Sequence, residues 1–150
     1  MNKLTPEQLM LLNRKVVNKM VNENGNGNGN GNGNDEDVLR VKMDELREIA
    51  EIPYQTNDKF LYEHKRITEK AAVLGHLIAK RKPFCESNEE TAVLALLTLL
   101  DVNCYRMIGL NREEVEKLSA SLYEENTKET CNWIKDHLAE EIRYRVLDKT

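Results

Sequence analysis

The stretch from Asn88 to Leu100 reads NEETAVLALLTLL. Val93, Leu94, Leu96, Leu97, Leu99 and Leu100 leave it almost no polar face. A helix on the surface of a globular protein shows one apolar stripe, and a helix apolar nearly all round is buried. This segment therefore predicts the central helix of a bundle. The apolar run Ala92–Leu100 is interrupted by Thr98 and is far short of the ~20 residues that span a bilayer. Ahead of it, Ser87-Asn88-Glu89-Glu90 has the form of a capping box. Ser87 stands as N-cap and Glu90 three residues on, with acidic charge in the first turn.

Working outward, helical signals follow one another. Upstream, His64 to Arg81 places Ile67, Ala71, Leu74, Leu77 and Ile78 on one stripe, and Pro83 ends it. At the start of the chain, Thr5-Pro6-Glu7-Gln8 gives an N-cap, a proline at the first helical position and a reciprocal Gln, followed by Leu9, Leu12, Val16 and Met20. Another helix is expected from about Val38 to Glu51, stopping before Pro53, and Tyr54–Tyr62 reads as a loop or short flap. Downstream, Asn111 caps a helix through Val115, Leu118 and Leu122. A last helix begins near Thr127 and carries Trp133, Ile134 and Leu138, with Ile142 and Val146 as its continuation. No stretch alternates over more than a few residues, so no sheet is expected. The fold class is all-α: a compact six-helix bundle with a buried central helix.

One segment stands apart. Asn22 to Asp37 reads NENGNGNGNGNGNDED and holds five of the seven glycines. Five Asn-Gly turn signals in series, with no apolar residue between them, cannot bury enough surface to offset their ordering entropy. This reads as a flexible loop at 22–37 within a single domain spanning 1–150. A phosphate loop is disfavoured, since no strand precedes it and no GK[ST] follows.

Composition narrows the function classes. The chain has 22 Lys+Arg against 26 Asp+Glu, a net charge of −4. Such a balance argues against a dedicated nucleic-acid binder, which needs a basic surface. Cys85, Cys104 and Cys131 share no metal-ligand spacing, and their odd number suits reduced thiols. His64, His76 and His137 are equally scattered. Met1–Glu7 lacks the apolar core of a signal peptide. These features predict a cytoplasmic protein without membrane or nucleic-acid partners.

The link Lys82-Pro83-Phe84-Cys85-Glu86-Ser87-Asn88-Glu89-Glu90-Thr91 resembles the Fic/Doc family, and more closely its Doc (death-on-curing) branch. That family carries H-x-F-x-[DE]-x-N-[GK]-R between two core helices. Its flanking helices are matched by Glu69-Lys70-Ala71-Ala72, Leu74, Leu77 and Ala79-Lys80 on one side. On the other side stand Thr91-Ala92, Leu94, Leu99 and Asn103-x-Tyr105. Pro53, Gln55 and Leu61-Tyr62 upstream, and Trp133, Ile134 and Leu138 near the end, also fall in place. The resemblance covers most of the chain and implies a compact six-helix Fic/Doc-type fold.

The family moves part of a nucleotide, or in the Doc branch a phosphate, onto a protein hydroxyl. Carried over residue by residue, the general-base His is replaced by Lys82, and the phosphate-binding Arg by Glu90. The resemblance gives Phe84 as the residue that anchors the loop in the core and Asn88 as a former part of the anion pocket. Glu86 matches the acidic residue that holds Mg²⁺, and Glu89 stands where relatives have Gly or Lys. An arginine offers bidentate donors to phosphate, whereas glutamate only accepts and is negative at neutral pH. Like charges about 4 Å apart repel by about 4 kcal/mol at an effective dielectric near 20. Lysine is a cation at neutral pH and not a base.

The expectation is thus a catalytically degenerate Doc-like protein, with Lys82 and Glu90 non-functional and no cofactor. It would act by protein–protein binding in a toxin–antitoxin or phage-related context. Family toxins are silenced by a partner helix, so the resemblance implies an antitoxin-like helix or a target protein as partner, at a groove around Tyr54–Tyr62 and Phe84. The alternative is an active transferase with altered residues, using ATP and Mg²⁺ through Glu86 and Asn88 with Glu90 as base. A plainer account also exists, in which Ser87, Glu89 and Glu90 only cap a helix and Lys80, Arg81 and Lys82 are a solvated helix end. Ser121-Leu122-Tyr123-Glu124-Glu125-Asn126 fits the family's self-inhibitory pattern, but with the motif arginine missing it reads as a helix end.

Overall fold

The structure is a computed structural model, and it describes residues 2–23, 42–55 and 63–139. Asn22 and Glu23, placed in the loop by the sequence reading, are helical, while residues 24–37 of the Asn/Gly-rich stretch, most of the expected flap, and Ile142 and Val146 lie outside the described residues. Six helices are described: α1 (Pro6–Glu23), α2 (Met43–Gln55), α3 (Glu63–Arg81), α4 (Asn88–Val102), α5 (Arg112–Tyr123) and α6 (Thr127–Asp136). Among the described residues the only extended pairing is an antiparallel bridge between Met107 and Leu138. The all-α reading holds.

Helix α4 is the centre. Ala92, Ala95, Leu96, Leu99 and Leu100 are fully buried, and α4 packs against α1, α3 and α5. Each such leucine contributes roughly 1.5–3 kcal/mol on leaving water. Helix α3 lies along α4 and also touches α2, α5 and α6, burying Ile67, Ala71, Leu74 and Ile78. Gly75 lets α3 and α5 approach, since a Cβ there would stand 2.7 Å from Leu122 Cδ2.

The capping box of α1 forms as its sequence predicts. Gln8 N–H donates to Thr5 Oγ1 at 3.1 Å and Thr5 N–H to Gln8 Oε1 at 2.8 Å. The buried stripe of α1 is Leu9, Asn13 and Val17, with a polar residue in its middle. Asn111 and Asn126 cap α5 and α6 by accepting from Glu114 N–H and Glu129 N–H.

Three local expectations are corrected. Helix α2 does not stop before Pro53 but runs through it to Gln55, and Lys42 precedes its first residue Met43. Pro53 cannot donate a helical bond, yet it is buried and its carbonyl accepts Lys70 Nζ at 3.0 Å. Leu138 lies beyond α6, which ends at Asp136, and belongs to the short pairing with Met107. There Ile108 N–H donates to His137 O at 2.6 Å and Ala139 N–H to Arg106 O at 2.9 Å. Ser87 precedes α4 in a left-handed conformation, φ 59°, and makes no side-chain cap bond. A serine N-cap needs an extended backbone to turn its oxygen onto the helix, so the capping-box reading of Ser87 fails.

Candidate functional site

The link between α3 and α4 is built from its two ends. Proline disfavours the α region for the residue before it, and Lys82, before Pro83, turns left-handed at φ 48°. Its N–H still closes the last turn of α3 on Ile78 O at 3.1 Å. Ser87 at the other end is left-handed too. Each such residue without glycine costs ~1–2 kcal/mol, so the link is held in place by its surroundings.

Those surroundings are specific. The Phe84 side chain is buried in the core. Asn88, itself buried, accepts Phe84 N–H on Oδ1 at 3.0 Å and donates from Nδ2 to Phe84 O at 2.9 Å. Pro83 O accepts Lys42 N–H at 3.1 Å. Asn13, reaching over from α1, donates from Nδ2 to Glu86 O at 2.9 Å and to Thr91 Oγ1 at 3.0 Å. The Thr91 hydroxyl in turn donates to Ser87 O at 2.6 Å.

Around this frame the candidate residues divide. Phe84 and Asn88 face inward and bond to one another. Lys82, Cys85, Glu86, Glu89 and Glu90 are exposed. Among the described residues, Glu86, Glu89 and Glu90 do not converge with other acidic, His or Cys side chains into a group of three able to hold a metal ion. Arg81 is committed elsewhere: its Nη1 stands 3.3 Å from Glu45 Oε1 and 3.1 Å from Glu48 Oε1, fastening α3 to α2. Hydrogen bonding to Glu48 drives the Arg81 pKa further up. Lys80 Nζ lies 4.5 Å from the centre of the Tyr123 ring. The basic run before the link is therefore partly spent on internal contacts.

The outward surface of the link is acidic and offers exposed acceptors, with Lys82 as its cation. Comparison with protein-family models, with curated proteins and with solved structures finds no match to this chain. What the site can do rests on its own chemistry. Carboxylates at the exposed start of α4 favour cations and donors, and they oppose a polyphosphate.

Of the expected groove at Tyr54–Tyr62, residues 56–62 lie outside the described part. Tyr54 is half-buried at the end of α2, with Lys3 Nζ 4.7 Å and Lys70 Nζ 5.2 Å from its ring centre. Its hydroxyl is buried and has no hydrogen-bond partner among the described residues. Burial, reinforced by Glu51, pushes its pKa up to about 12. Ser121–Asn126 ends α5: Ser121 is buried against Thr130 at 2.8 Å, and Glu125 turns left-handed at φ 57°.

Two features escaped the sequence reading. Asn13 stands four residues after Leu9 and four before Val17, and a polar residue inside an apolar stripe was the available signal. The other is a cleft of about 450 Å³ between α3 and α6, lined by Thr68, Glu69, Lys128, Cys131, Asn132 and Lys135 among others. Burial pushes the Cys131 thiol pKa up. Nothing local in the sequence marks that cleft, because its walls lie about sixty residues apart in the chain.

Proposed function

We propose that the chain is a catalytically degenerate Doc-like protein that acts by binding another protein, in a toxin–antitoxin or phage-related setting. The observation that carries this reading is the state of the α3–α4 link. Its inward residues Phe84 and Asn88 are bound to each other. Its outward residues are Lys82 where the family has its base and Glu90 where it has its phosphate clamp, both exposed. A rigid link at the head of the central helix, carrying negative charge where a triphosphate would have to sit, suits contact with a basic or hydrogen-bond-donating protein surface. It does not suit phosphoryl chemistry.

The test is calorimetric titration of the folded chain with ATP and Mg²⁺, and with GTP, CTP and UTP. No heat with any nucleotide is expected. Binding in the micromolar range would overturn the reading in favour of a transferase with altered residues, with Glu86 toward Mg²⁺ and Asn88 toward phosphate.

A further inference from the structure

We infer that α1 is a strap on the α3–α4 link: through Asn13 it sets the backbone on which Cys85 and Glu86 are presented, so the seating of α1 and the shape of the link form one equilibrium. Asn13 is 2% exposed, in the middle of the inward stripe of α1. Its single amide nitrogen serves Glu86 O and Thr91 Oγ1, from 73 and 78 residues upstream. Thr91 passes the connection on to Ser87 O.

The attachment is divided along the link. Lys42 N–H holds the Pro83 end, and Asn88 holds Phe84 in the middle. At the Glu86–Ser87 end, Asn13 donates to Glu86 O and Thr91 to Ser87 O. That end is where the backbone is left-handed at Ser87, and strained backbone persists only where its surroundings over-determine it. Without Asn13 the Glu86 carbonyl loses its buried donor, and the Thr91 hydroxyl loses the bond that orients it toward Ser87 O. Coupling between two sites is reciprocal. A partner that grips the exposed Cys85–Glu86 edge therefore acts on α1, and lifting α1 off α4 reshapes that edge. None of this depends on the family reading, since it uses only contacts within the chain.

Hydrogen exchange in the full chain tests it. Asn13→Leu keeps similar bulk and removes the donor; Thr91→Val keeps Asn13 and removes the hydroxyl. The reporters are the amides of Phe84, bonded to Asn88, and Thr91, bonded to Ser87 O. Both variants should exchange about tenfold faster or more at these two amides, while Leu122 in α5 and Ile134 in α6 keep their protection. Equal acceleration at all four amides would mean only general loss of stability and would overturn the strap. So would no acceleration, or acceleration confined to Thr91→Val with Asn13→Leu folded and unchanged. Should Asn13→Leu fail to fold, Asn13→Ala, which removes the same donor without the added branched side chain, decides on the same pattern of four amides.

Discussion

The carboxamide of Asn88 pairs with both backbone groups of Phe84, accepting its N–H at 3.0 Å and donating to its carbonyl at 2.9 Å. A side chain here does what a neighbouring strand would do, and it does so for a residue whose ring sits in the core. Removing it leaves two buried groups without partners, at about 1–3 kcal/mol each. Asn88→Ala should therefore cost roughly 2–6 kcal/mol. Trp133 is the lone tryptophan and is buried, so its fluorescence through a urea titration reports the loss. An unchanged midpoint would show that the pairing contributes nothing.

Cys104 follows the C-cap of α4 at φ 66°. A left-handed backbone is strained for any residue with a Cβ and open to glycine. Cys104→Gly is expected to raise stability by about 0.5–1 kcal/mol, with the melting temperature up by ~1–4 °C. The side chain is exposed, so little packing is lost. A lower melting temperature would contradict the strain argument.

His76 gives the fold a pH dependence of definite sign. Its Nδ1 lies 3.1 Å from Leu122 O and its Nε2 3.2 Å from Thr127 Oγ1. Burial lowers its pKa, against the smaller opposing effects of the Leu122 carbonyl and Glu125. The folded state thus binds this proton less readily than the unfolded chain, whose value is near 6.5. Below that pH the unfolded chain holds more protons, so stability is full above it and falls as the pH drops through 6.5 toward the lower folded value. Urea midpoints at neutral and mildly acid pH should show this fall, and His76→Gln should reduce it. An identical fall in the variant would place the dependence elsewhere.

Gly75 marks a close approach of α3 to α5. Alanine would gain about 1 kcal/mol of helix propensity, but its Cβ would meet the buried Leu122 at 2.7 Å. Overpacking costs ~1–3 kcal/mol. Gly75→Ala should be net destabilising by roughly 1 kcal/mol, and a gain in thermal stability would show that Leu122 has room to move.

Helix α4 was legible because composition alone decides a helix with no polar face, and α1 because Thr5 and Gln8 cap each other over three residues. What failed was settled by side-chain contacts that the local pattern does not show. Pro53 reads as a stop, yet α2 runs two residues past it, and its carbonyl accepts from Lys70, seventeen residues away. Ser87 looks like a cap until Asn88 turns back onto Phe84 and the backbone before α4 goes left-handed. At the candidate site the residue types were readable, including which of them are charged. The hold of Asn13 on Glu86 was not, because a contact across 73 residues leaves only a misplaced asparagine as its trace.

On the Doc-like reading proposed above, a nucleotide site has been lost from this link by substitution. Titration of ATP and Mg²⁺ into the triple variant Lys82→His/Glu89→Gly/Glu90→Arg tests it most directly, beside the unaltered chain. The variant should bind nucleotide measurably and the unaltered chain should not. A folded variant that still gives no heat, or an unaltered chain that binds as well, would contradict it.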